Sequence, residues 1–193
     1  DIVYHGPAGM LHAMEKEARR CGFFAISASV DPLDHNSIAQ GIQHLRRLGI
    51  EGLVVITPQT DSVQAVERLV TDIPVVFIDS PKYSKEWSAE LDNLAGAKRA
   101  TEHLISLGHK KIVHVSGPSG WFVSAPRVAG YEAAMKNANL EPKIYSGDWT
   151  APTGYEIGRN LDIETEKVTA IFAANDHLAL GLMRALRQRG YAI

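Results

Sequence analysis

Trp121 and Arg127, in the stretch SGPSGWFVSAPRVAGY (116–131), hold the most chemical promise in this chain. A guanidinium fork donates paired hydrogen bonds to vicinal hydroxyls. An indole packs well on the C–H face of a pyranose. Together they suit something flat, polar and uncharged, such as a sugar. The pattern from Asp92 to Tyr131 reads as helix, strand, glycine-bearing loop and second helix. That order sets both side chains, with nearby backbone amides, at the carboxyl end of a strand, where open α/β sheets hold their ligands. Blander readings stand beside this one. Arg127 also reads as a solvated helix residue or a surface ion pair. Trp121 alone also reads as core, although a large aromatic in a Gly/Pro/Ser loop calls for a reason.

Other candidates lie at comparable edges. Asn175 and Asp176 end TAIFAAN and open the last helix, where both suit an N-cap. One cap is enough, which leaves the second side chain to face a cleft. Asp79 ends PVVFID, at the matching edge of an earlier strand, and also reads as a turn former before Ser80-Pro81. Trp149, in SGDWTAPTGY, follows a strand and would close a pocket from the side. On the helix 177–189, Leu178, Leu182, Ala185 and Leu186 make one apolar stripe. Leu180 and Met183 project from roughly the opposite side at about 100° per residue. They read as a subunit interface or as scattered exposed hydrophobes.

Enzyme signatures are missing. GPSGW (117–121) lacks the second glycine of a nucleophile elbow, and neither a phosphate-binding loop nor a dinucleotide fingerprint is present. The eight histidines are scattered, so no metal site and no cofactor is expected. A net charge of −2 gives no global pull toward nucleic acid. The single cysteine, Cys21, excludes an intrachain disulfide and reads as a small packing residue at a helix end. No apolar run approaches the ~20 residues of a membrane span. With no signal pattern at the start, a cytoplasmic location is expected.

Apolar periodicity switches between helix and strand types along almost the whole chain. Helices are expected at about 8–21, 38–48, 63–70, 97–107, 125–138, 153–161 and 176–189. Strands are expected at 23–30, 52–57, 74–79, 111–117, 143–148 and 168–175, with 52–57 and 74–79 buried on both faces. Glycines 22, 49, 108 and 190 stop helices. This is an α/β chain with parallel strands joined by right-handed crossovers. The polar segment KYSKEWSAELDN (82–93) breaks the rhythm and reads as a crossing between two lobes, 1–91 and 92–193. A cleft between lobes is a favoured ligand site. The first helix has no strand before it, and RGYAI stops where another strand is expected, so both ends look cut.

Residues 92–131, SGDWTAPTGY and TAIFAANDHLALGLMRAL resemble the effector-binding core of LacI/GalR-type transcription repressors. The helix ending in LGH-K-K-I, the GP loop, the R-x-x-GY turn and the A-A-N-D helix start come in that family's order and spacing. The resemblance implies a periplasmic-binding-protein-like fold of two Rossmann-like lobes, with a small sugar or glycoside bound between them. It carries sugar contacts to Arg127, Asn175, Asp79 and Trp149, and a variable pocket-facing position to Trp121. It further implies a homodimer and operator DNA read by a headpiece that this segment lacks. A solute-binding protein feeding a transporter is the alternative.

Overall fold

The computed structural model describes residues 5–57, 60–79 and 87–193. The chain divides into two compact units, Asp1–Glu90 and Leu91–Ile193. The first contains α1 (His5–Arg20), α2 (His35–Arg47), β1 (Leu53–Ile56), α3 (Thr60–Leu69), β2 (Val75–Ile78) and β3 (Trp87–Ala89). Its three strands form a parallel sheet in the order β1-β2-β3. Ile38, Ile42 and Leu45 of α2 are buried, as are Val63 and Val66 of α3 and Val75 and Phe77 of β2. Asp34 caps α2, its carboxylate accepting from the Asn36 amide.

Three expectations fail in this unit. No strand forms over 23–30, which has no regular structure; Phe24 is 91% exposed. A strand exists only as half of a ladder, and no strand pairing among the described residues includes this run. β1 is not buried on both faces, because Val54 is 50% exposed. Cys21 is not a packing residue: it is exposed, and its thiol points at Glu17 Oε1, 3.9 Å away. Of the segment expected to cross between lobes, 82–86 lie outside the described residues, as do Ser80 and Pro81. Residues 87–89 form β3, an element the irregular pattern hid.

The second unit contains α4 (Asn93–Ser106), β4 (Ile112–Ser116), α5 (Ser124–Asn137), β5 (Lys143–Ser146), α6 (Ala151–Asn160), α7 (Ile163–Glu166), β6 (Ala170–Ala173) and α8 (Asp176–Gln188). Its parallel sheet runs β5-β4-β6, so β4 is central and buried along its length. Ile112, Tyr131 and Met135 form a buried cluster with Leu104, Ile105, Ile144 and Phe172 packed against it. The Tyr131 hydroxyl donates to Ile112 O at 2.7 Å and accepts from the Lys143 amide at 2.9 Å, joining the amino ends of β4 and β5. His114, fully buried in β4, stacks on Phe172 and is bonded through Nδ1 to the Phe172 carbonyl at 2.9 Å.

Helices in this unit cross where glycines remove the side chain. An ideal Cβ at Gly130 of α5 would lie 2.2 Å from the Leu94 carbonyl oxygen of α4. Between α6 and α8, Gly154 would meet Leu178 O at 2.3 Å and Gly181 would meet Ala151 O at 2.0 Å. The four expected helix stops at Gly22, Gly49, Gly108 and Gly190 all have φ between +76° and +91°, a conformation glycine adopts without steric cost.

Candidate ligand-binding site

The carboxyl ends of β4, β5 and β6 carry the candidate residues of the second unit. From Ser116, the last residue of β4, the chain passes Gly117 into a tight turn, with the Trp121 amide donating to Pro118 O at 3.2 Å. The Ser124 amide then donates to Trp121 O at 3.0 Å and starts α5. Arg127 lies in the first turn of that helix. Its Nε donates to Asn93 Oδ1 at 2.9 Å, and one terminal nitrogen donates to the Ala174 carbonyl at 2.5 Å. The guanidinium is thus fixed to the start of α4 and the end of β6, and is not a solvated helix side chain.

Trp149 follows β5 with a backbone φ of +74°, a left-handed conformation that is an outlier for a bulky residue. Its ring is almost wholly buried. The Arg127 guanidinium carbon lies 5.5 Å from its ring centroid, within cation–π range. Trp121 meets it edge-on at 5.6 Å between centroids, an arrangement aromatic pairs favour. The indole Nε1 is buried without a hydrogen-bond partner. Asp148, beside it, accepts from the Thr150 amide at 2.9 Å and hydroxyl at 2.7 Å. Burial alone would raise the Asp148 carboxyl, but the Thr150 bonds prevail and hold it below its ordinary value.

Asn175 is the N-cap of α8: its Oδ1 accepts from the Leu178 amide at 2.9 Å, and its Nδ2 donates to Trp149 O at 2.9 Å. Asp176 is exposed in the first turn. So the structure brings Trp121, Arg127, Trp149 and Asn175 together. Asp79 belongs to the first unit, where it follows β2 with φ +53° and its amide donates to Ala89 O at 2.9 Å. On α8, Leu178, Leu182, Ala185 and Leu186 are buried, Leu180 is exposed and Met183 is half-buried.

Two members of this arrangement were not singled out from the sequence. Asn93 orients the arginine; its position just after the capping Asp92, in the first turn of a helix, was the available signal. Gly117 seats the indole, since an ideal Cβ there would lie 2.1 Å from the far ring atoms of Trp149. Gly117→Ala is therefore expected to push the ring out of place. Near-ultraviolet circular dichroism, to which the Trp121–Trp149 pair contributes, should change while the far-ultraviolet spectrum holds. An unchanged near-ultraviolet spectrum would contradict this seating.

The cluster joins a part-exposed indole, Trp121, to a guanidinium held by two acceptors and a buried indole, Trp149. Among the described residues no three of His, Cys, Asp and Glu gather as metal ligands. No helix there is long and apolar enough to cross a membrane.

Residues 8–193 match the family model described as periplasmic binding proteins and sugar binding domain of LacI family. The chain belongs to this family. Among LacI-family relatives, the lactose operon repressor of Escherichia coli is 26% identical over 194 residues, covering 100% of this chain and 54% of the repressor. The transcriptional repressor PurR of Actinobacillus pleuropneumoniae serotype 5b is 31% identical over 195 residues, covering 96% and 56%. The chain spans about half the length of the curated relatives it matches. The dimeric Lac repressor with an 11-residue C-terminal deletion is a structural neighbour, with TM-score 0.89, 25% identity and coverage of 100% and 72%. So is a complex of the transcriptional regulator CelR with cellobiose, with TM-score 0.81, 25% identity and coverage of 96% and 58%. The expected α/β, periplasmic-binding-protein-like fold with parallel sheets is what the structure has.

Proposed function

We propose that this domain binds a small sugar or glycoside effector and, within a longer transcription regulator, couples that binding to affinity for operator DNA. The observation that carries the reading is the cluster at the strand carboxyl ends: a guanidinium held by Asn93 and Ala174, lying over the ring of Trp149 with Trp121 beside it. Such a site offers C–H/π contact through Trp121 and directional donors to hydroxyl groups, and relatives named as repressors support a non-enzymatic role. A neighbour bound to cellobiose and relatives named as repressors support the regulator over a transport role. The regulator would act in the cytoplasm as a homodimer, with Leu180 and Met183 of α8 contributing to the subunit interface and DNA read by a separate headpiece.

In this reading Asp79, Arg127, Trp149 and Trp121 are each proposed ligand contacts. The effector favours the state of the regulator to which it binds more tightly. It shifts the equilibrium only by its differential affinity for the two states, and a coupling of about 1–3 kcal/mol is typical.

The test is calorimetric titration with methyl galactosides, methyl glucosides and cellobiose, on the parent and on Arg127→Ala. A hydrogen bond from a charged group contributes about 1.5–3 kcal/mol, so the affinity of Arg127→Ala should fall roughly tenfold to a hundredfold. Undiminished affinity in Arg127→Ala would remove the arginine from the site. Absence of binding by every sugar to the parent would remove the sugar reading.

A further inference from the structure

Trp149 sits in a backbone conformation that bulky residues rarely adopt, at φ +74°. Strain of this kind persists only where the surroundings over-determine it. Here the restraint comes from three directions. Gly117 leaves the space the ring fills, Arg127 lies over the ring face, and Asn175 holds the backbone. The orientation of the Asn175 amide is fixed by its partners. The Leu178 N–H can only donate and so takes Oδ1; the Trp149 carbonyl can only accept and so takes Nδ2. Both bonds are 2.9 Å.

We infer that Asn175 is a positioning residue: it holds Trp149 in its left-handed pose, and the buried indole in turn backs the Arg127 guanidinium and the Trp121 ring that a ligand would meet. This rests on reading the cluster as the effector site, and it differs from the direct sugar contact that the family resemblance assigns to Asn175. The amide serves two backbone groups at once, capping α8 and fixing the loop after β5. Its neighbour Ala174 receives the Arg127 guanidinium through its carbonyl. Residues 174 and 175 therefore set the relative placement of the guanidinium and the indole from one strand end. A shift at Asn175 moves the indole without removing any group from the cluster.

The test separates positioning from capping and from ligand contact. Asn175→Asp keeps an oxygen acceptor for the Leu178 N–H, and aspartate is as good an N-cap as asparagine. It replaces the Nδ2 donor with a carboxylate oxygen facing the Trp149 carbonyl. Asn175→Ser, also a good cap but too short to reach Trp149, is the second variant if the first does not fold. The full chain, labelled with nitrogen-15, gives three indole N–H signals, from Trp87, Trp121 and Trp149. Trp149→Phe assigns the one that matters.

Without any ligand, the Trp149 signal should shift or broaden in Asn175→Asp and Asn175→Ser. The Trp87 signal should stay in place, and the melting temperature should fall less than it does when the cap is also lost. Asn175→Ala, which loses the cap as well, should show the same indole change with a lower melting temperature. An unmoved Trp149 signal in the capping variants overturns the proposal. If those variants also lose affinity for methyl β-galactoside with the indole signal unmoved, Asn175 touches the ligand directly. Because the indole readout needs no ligand, a parent protein that binds no sugar defeats the effector reading while leaving the positioning result standing.

Discussion

Gly181→Ala is expected to lower the stability of the second unit by more than about 3 kcal/mol, beyond the usual cost of overpacking. The added Cβ would lie 2.0 Å from Ala151 O and 2.6 Å from Tyr155 N. Both are backbone atoms of α6, so no side-chain rotation can make room. α8 would have to withdraw from α6 along a crossing that Gly154 and Gly158 also keep open from the other side. Withdrawal would uncover Leu178 and Leu182, both buried in that layer. Gly96→Ala in α4 is the matched comparison. A Cβ there meets nothing within 4 Å, so replacing a helical glycine should stabilise by about 0.5–1 kcal/mol. Urea unfolding followed by circular dichroism measures both. Equal midpoints for the two alanine variants would show that the close crossing does not govern stability.

The second large effect concerns acid. His114 is fully buried, its Nδ1 bonded to the Phe172 carbonyl and its Nε2 without a partner. With Nδ1 carrying the proton, the neutral ring satisfies its donor; a second proton would place a charge in the core. Burial pushes the imidazole below its ordinary value. The Phe172 bond opposes this, and the positive field of Arg127 adds to it. The unfolded chain, with an ordinary histidine near 6.5, then binds more protons than the folded one as pH falls below that value. Stability is full above about pH 6.5 and declines below it, by up to about 1.4 kcal/mol per pH unit, until the folded-state value is passed. His114→Asn keeps a donor near the Phe172 carbonyl and cannot titrate. It should be less stable than the parent at pH 7.5, because of the lost stacking, yet show a shallower acid slope. Parallel slopes for the two proteins would acquit His114.

The alternation of periodicity revealed the class and most elements because buried parallel strands and amphipathic helices write their burial into short runs of sequence. β4, with VHV between isoleucine and serine, and α8, with its leucine stripe, are of this kind. The run FFAISASV has the same strand composition, but a ladder is a relation between two segments, and composition carries only one of them. α7 was missed because four residues leave no period to read; only Asp162, which accepts from the Thr165 amide, announces it. In the candidate site, Arg127, Trp121 and Trp149 were legible as unusual residues at strand ends. The residues that fix them were not. Gly117 matters for what it lacks opposite Trp149, and Asn93 matters through a bond to a residue 34 positions away. Either Asn175 or Asp176 was expected to cap and leave the other for the ligand, and the resemblance gave Asn175 a sugar contact; Asn175 is the cap, and its amide spans both the cap and the Trp149 loop.

The Tyr131 hydroxyl joins β4 and β5 at their amino ends, whereas the candidate residues Trp121 and Trp149 follow the carboxyl ends of the same strands. A bolt at one end of the beam and the tools at the other give the second unit a division of labour. Under the proposed function, residues 118–123 and 147–150 are those to vary for a different ligand while the phenol keeps the strands in register. A library confined to those loops, with Gly117 and Tyr131 left alone, is the route to retargeting that the proposed site implies. Variation at the opposite end would spend its effort on stability alone.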